Sequence, residues 1–295
     1  MKNGNRYIQR IESETIRFRE MTNMMTRQSS SFLKTNKMRT LMKRKVKYAC
    51  VENAGRLREI NQDNFLVELK NHKPEESGIT GMLKGKCNVG NALFSVFDGM
   101  GGEQCGEMAS YIASEVMRKA LGEKKTASSE NADDGDAVEW LKESICTANR
   151  KINEYMDENG ILSMGTTMAS VFAGNEKIIV SNVGDSRIYR ISGKHMEMIS
   201  KDHVSIAPMG KKPPLYQYLG IRDEFGVEPH FVSEDYLKGN KYLICSDGLT
   251  DMVEENEIET IINKYRISKV CRLLMDLAMK NGGRDNITII LLELC

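Results

Sequence analysis

Four short stretches set a carboxylate flanked by glycine or a small polar residue at the tip of an apolar run. They are VFDGMGG with Asp98, SNVGDSR with Asp185, LICSDGLTD with Asp247 and GGRDNITII with Asp285. In the last of these the acid precedes the run. A single Asp-Gly pair is ordinarily a turn, because glycine supplies backbone shapes closed to other residues. Four copies of one plan point to something more. If the tips converge, the carboxylates repel and some must take up protons, unless a hard divalent cation lies among them. Magnesium and manganese prefer such all-oxygen surroundings. The glycine that follows Asp98 would leave its own carbonyl free to reach a metal. A pair of metals roughly 3.5–4 Å apart suits hydrolysis of a phosphate ester by an activated water. Arg58, in GRLREINQDNFLV, supplies a guanidinium for two phosphate oxygens, and Asp63 opens the run that follows it.

Other chemistries find less support. His72, His195, His203 and His230 stand apart, with no HxxH or HExxH spacing for zinc. The GxSxG turn of a serine hydrolase is missing. GMGG lacks the lysine of a phosphate-binding P-loop.

Rigid elements must hold these tips. The runs NFLVEL, NALFSVF, TTMASVFA, KIIVSNV, SRIYRI, KYLICS and NITIILLEL read as strands. Strands at 169–173, 177–182 and 187–191 follow one another through short links, which favours antiparallel pairing. Helical patterns cover 103–121, about 136–158, 253–265 and 267–281. NHKPEESGITGMLKGKCNVG reads as a polar loop. Runs of strands with segregated helices mean an α+β fold.

The 295 residues are 40% hydrophobic and 28% charged, which suits a soluble globular protein with a sizeable core. The net charge of +1 hides an asymmetry: residues 1–47 carry +10, leaving −9 for the remainder. Residues 1–45 read as a basic N-terminal extension, helical in part or solvated, and 46–295 as the folded domain. The basic run KMRTLMKRKVK has few aromatics around it, which argues against a nucleic-acid partner. Seven scattered cysteines with no CxxC read as free thiols in a reducing cytoplasm. No stretch approaches the roughly 18 apolar residues of a membrane span, and a monomer is expected.

The ordered series REINQDNF, VFDGMGG…GE, MGTTMAS, NVGDSRIYRI, SKDHV, LICSDGLTDMV and GGRDNITIILLE resembles the metal-dependent protein serine/threonine phosphatases of type 2C, especially their bacterial branch. The resemblance runs from about residue 46 to 294. It implies a β-sandwich of two antiparallel sheets flanked by helices (α/β/β/α), with manganese or magnesium at one end. Two ions per domain are implied, with a possible third. By resemblance Asp98 bridges both metals, the Gly99 carbonyl binds the first, and Asp247 and Asp285 bind the second. Asp185, with Asp247, matches the weaker third position. Arg58 matches the phosphate-binding arginine, Asp63 an acid that holds metal-bound water, and Asn286 an orienting group. The implied reaction is hydrolysis of phosphoserine and phosphothreonine in proteins, the products of a serine/threonine kinase. The alternative is a catalytically silent scaffold or sensor of the same fold.

Several further positions carry expectations. MGTT, Met164 to Thr167, packs at the sheet end. Thr250 is expected to cap a helix over 252–265, together with Asp251. Glu107 braces the helix after the glycine turn. Met100 stands where many relatives place a histidine, so this side chain cannot give a proton to the leaving group. Gln62, acidic in some relatives, is expected to make a neutral contact through water. After SKDHV the flap of relatives is truncated to SIAPMGKKPPLYQY, where KKPP forms a short basic lip or a plain turn.

Overall fold

The computed structural model describes residues 44–74, 76, 81–101, 105–127, 135–206, 212–222 and 226–295. The expectations for residues 1–43 lie outside these. Arg44–Cys295 form one compact unit.

Two antiparallel sheets are stacked. The first has the order β3 (Leu83–Asn88), β1 (Lys45–Asn53), β12 (Ile287–Leu294), β11 (Lys241–Cys245), β8 (Arg187–Ser192), β9 (His195–Met198). The second runs β10 (His230–Asp235), β7 (Lys177–Val183), β6 (Met168–Ala173), β4 (Ala92–Met100), β2 (Asp63–Val67), and the two-residue β5 (Gly165–Thr166) pairs with β4. Long helices α1 (Gly106–Ala127) and α2 (Gly135–Asn159) cover the second sheet. The turn α3 (Asp247–Thr250) and helices α4 (Glu255–Lys264) and α5 (Ile267–Lys280) cover the first.

The layering explains why so many strands are apolar throughout. In β12, Ile290, Leu292 and Leu294 face the second sheet, while Ile287, Ile289 and Leu291 face the helices. In β4, Phe94 and Val96 point between the sheets and Leu93 and Phe97 toward α1 and α2. A strand buried on both faces loses the polar alternation of a half-exposed one. Full burial of a side chain such as Phe94 is worth about 1.5–3 kcal/mol.

The strands thus follow the apolar runs, and the α/β/β/α arrangement is present. Three expectations are corrected. The loop at 71–90 contains β3, an edge strand that pairs Lys45–Cys50 through its backbone. β1 begins at Lys45, inside the basic run. The helix expected over 252–265 starts later: the separate turn α3 ends at Thr250, and α4 runs Glu255–Lys264 with Glu254 as its N-cap. Thr250 is not a cap; its Oγ1 donates back to the carbonyl of Asp247 at 3.4 Å, and Asp251 ends the short turn.

Antiparallel pairing sends the acidic tips to one end. β4 and β11 finish there, and β2, β8 and β12 start there. Asp63 sits opposite Asp98 in register, and Cys245 pairs with both Arg187 and Ile289.

Candidate active site

Asp98 lies in the last turn of ladder on β4, and its backbone is gripped from the MGTT segment. The Asp98 N–H donates to Thr167 Oγ1 at 3.0 Å, and the Asp98 carbonyl accepts from Thr167 N–H and Thr166 Oγ1, each at 2.9 Å. MGTT is therefore a clamp on this aspartate rather than simple packing. Gly99 is required by closeness: a Cβ there would strike the backbone carbonyls of Gly106 and Gln62. Gly248 has the same reason, against the carbonyl of Asn286.

Asp63 is 1% exposed, and its Oδ2 accepts hydrogen bonds from Ser246 Oγ and Thr288 Oγ1, both at 2.7 Å. Among the described residues its Oδ1 accepts none. Burial, and then the nearby Asp98 charge, hold its pKa well above the usual carboxylate range. Burial and the Asp185 carboxylate push Asp98 up to about 7, with Asp285 adding to the push and Lys212 and Arg58 opposing it. Asp185 is also raised, first by burial, against the pull of Lys212. Asp247 is 5% exposed, and among the described residues neither of its carboxylate oxygens accepts a hydrogen bond.

Two cations of the protein itself enter this acidic end. Arg58 donates from Nε and Nη2 to the two oxygens of Asp285, each at 2.9 Å. Lys212 Nζ lies 3.7 Å from Asp185 Oδ2 and forms an ion pair with Asp247 Oδ2. Among the described residues no three Asp, Glu, His or Cys side chains close around one point as a finished cage. The donor set still suits hard cations. It is all oxygen, it holds buried carboxylate oxygens with no hydrogen bond, and burial together with neighbouring carboxylates raises its pKa values, a conflict that a dication removes.

The loop carrying Arg58 is tied to the start of β12. Asn286 Nδ2 donates to the carbonyls of Ala54 and Ile60 at 2.9 and 3.0 Å, and its Oδ1 accepts from Gln62 N–H at 2.8 Å. The Arg56 N–H donates to the Gly283 carbonyl at 2.6 Å. Asn286 thus orients the loop rather than any metal. Gln62 Nε2 contacts Glu107 Oε2 directly at 3.2 Å, not through water, and this braces the first turn of α1.

Sequence reading missed Ser246, Thr288 and Lys212. The hydroxyls look like ordinary polar positions inside apolar strands. Each is nevertheless fully buried, and a buried hydroxyl needs a partner.

Comparison with known proteins gives the fold a family. The model of protein phosphatase 2C matches residues 84–287. The serine/threonine phosphatase stp of Listeria monocytogenes serovar 1/2a is 30% identical over 259 residues, covering 81% of this chain and 92% of that protein. The solved serine/threonine phosphatase of S. agalactiae is 25% identical, with a TM-score of 0.68 over 84% of this chain and 99% of that one. The catalytic domain of the serine threonine protein phosphatase PstP, solved in complex with two manganese ions, has the same fold at 24% identity and a TM-score of 0.66, over 85% of this chain and 99% of that one. With the clamped, converging aspartates, these matches lead to one conclusion: the chain belongs to the protein phosphatase 2C family, on its bacterial PPM-type branch.

Proposed function

We propose that this protein is a metal-dependent serine/threonine phosphatase whose centre is built by Asp98, Gly99, Asp247 and Asp285. Two manganese or magnesium ions belong there, and Asp185 with Asp247 borders a third, weaker position. The observation that carries the reading is convergence. Aspartates from five strand tips come to one end of the sandwich, where burial first, then the Asp185 charge and more weakly that of Asp285, push Asp98 up to about 7. When bound, the divalent ions supply charge neutralisation and an activated water nucleophile.

The chain's own residues do the rest. Arg58 presents a two-pronged donor, Nε and Nη2, in the geometry that a phosphate also accepts. Asp285 holds that fork at the ready, and a phosphate dianion competes for it. Asp63, fixed through Oδ2 by Ser246 and Thr288, keeps Oδ1 available to accept a hydrogen bond from water. Met100 carries no transferable proton, so the leaving oxygen is protonated by another group. The substrates are phosphoproteins made by a serine/threonine kinase. The seven free cysteines suit a reducing, cytoplasmic setting. No helix among the described residues is long and apolar enough to cross a membrane.

The test is phosphate release from phosphoserine, phosphothreonine and phosphotyrosine peptides and from small phosphorylated metabolites, with and without manganese. Manganese-dependent release from the first two is expected, and Asp98→Asn lowers it about a thousandfold or more. Binding of phosphopeptides without release would favour the silent scaffold. Equal turnover of metabolites would favour a small-ester hydrolase.

A further inference from the structure

Among the described residues of the segment after β9, Lys212 reaches the acidic end of the sheets. The described part of the segment is anchored. Val204 and Leu215 form a β-bridge, the Ser205 N–H donates to the Pro214 carbonyl at 2.8 Å, and the Tyr216 N–H donates to the His203 carbonyl at 3.0 Å. His203 is in turn locked to the turn that bears Asp185. Its N–H donates to the Gly184 carbonyl at 3.0 Å, and its Nδ1 accepts from the Gly184 N–H at 3.1 Å. The Tyr216 ring packs on the His203 ring with centroids 5.5 Å apart. Pro213 and Pro214 stiffen the backbone between this anchor and Lys212, since each fixes its φ. The ammonium is therefore held on a short tether whose base is tied to one of the two carboxylates it meets.

We infer that Lys212 is a built-in cation that occupies the position between Asp185 and Asp247 where a third divalent ion would otherwise sit. This rests on the metal reading given above. A lysine ammonium is a compact point charge with three donors, suited to bridging two carboxylates. Both carboxylates face it: Asp185 Oδ2 at 3.7 Å and Asp247 Oδ2 as a direct ion pair. Neither Asp247 oxygen has a competing hydrogen bond among the described residues. A dication entering the same space would have to displace a like charge, at a Coulomb cost that grows as the surroundings become drier. A protein with this lysine would thus hold two ions firmly and resist a third. The Lys212 side chain is 56% exposed, so removing the charge opens no hole in the core.

The test counts ions. Manganese binding to the full chain is measured by equilibrium dialysis and by electron paramagnetic resonance of free manganese, for wild type, Lys212→Met, Lys212→Gln and Lys212→Arg. The expected result is two ions on wild type and Lys212→Arg. A third on Lys212→Met and Lys212→Gln should bind about tenfold or more tighter than any third ion on wild type. Thermal midpoints in chelator check that each variant is folded. Equal stoichiometry and affinity for wild type and both uncharged variants overturns the inference while leaving the two-ion centre standing, as does a wild type that already binds three ions tightly. No manganese on any of the proteins removes the metal reading and the inference together.

Discussion

The space between the two sheets and the acidic end of the same sheets are built to opposite standards. Between the sheets, Phe94, Val96, Val180, Tyr242, Ile290 and Leu292 are fully buried, and the Tyr48 and Phe94 rings lie 5.5 Å apart. A few residues along, β2, β4 and β11 lead to Asp63, Asp98 and Asp247, where buried oxygens of Asp63 and Asp247 lack hydrogen bonds and like charges crowd. One region is shaped by what folding favours, and the other holds what folding would discard. The well-packed ladders tolerate the crowded end because Asp98 is fastened through its backbone and Asp63 through hydroxyls, while Asp285 is paired with Arg58 and Asp247 with Lys212.

The sharpest way to break this contrast is to injure each region in turn. Phe94→Ala removes a fully buried ring from the inter-sheet core and should cost about 3–5 kcal/mol of stability in urea unfolding. A loss below about 1 kcal/mol would mean that the core is not jigsaw-packed at this point.

The opposite sign is expected at the acidic end. In chelator at pH 8, Asp98→Asn removes a charge that burial and Asp185 disfavour, and should stabilise the protein by about 1–2 kcal/mol. Destabilisation of the ion-free variant would show that the Asp98 charge is held by favourable contacts and that the contrast is false.

The smallest effect is read through protons. Asp98 titrates at about 7 in the folded protein against an ordinary value of 3.8, so between those values the folded state binds more protons than the unfolded chain. Stability in chelator should therefore fall as pH rises from about 4 to 7, by at most about 1.4 kcal/mol per pH unit for this group. Subtracting the pH profile of Asp98→Asn isolates the contribution. Parallel profiles would remove Asp98 as its source.

Sequence made part of this legible for physical reasons. Strands β6, β7 and β12 are buried along almost their whole length and bounded by turns, so they stand out as runs. Asp98, Asp185, Asp247 and Asp285 are visible because each sits at the tip of such a run beside glycine or a small polar residue. β3, LKGKCN, and β10, HFVSED, are edge strands held mostly by backbone pairing, and they carry little apolar signal. Gly85 in β3 leaves room for the Tyr48 hydroxyl, which reads in sequence only as a loop glycine. Thr250 misled because a threonine after Asp-Gly-Leu resembles a cap, whereas the next helix starts five residues beyond it, at Glu255. The pairing of Arg58 with Asp285 spans 227 positions, and that of Lys212 with Asp185 and Asp247 joins residues from separate parts of the chain. Neither is written in local spacing.

The position of β12 has a consequence for biogenesis. It is the final strand of the domain, yet it lies in the middle of its sheet, between β1 and β11. While the chain is being synthesised, those two neighbours have no shared partner until residues 287–294 leave the ribosome. Half of the sandwich must wait, with unpaired edges, for β12 to arrive, so the nascent domain stays exposed to proteases and to aggregation until that strand has emerged.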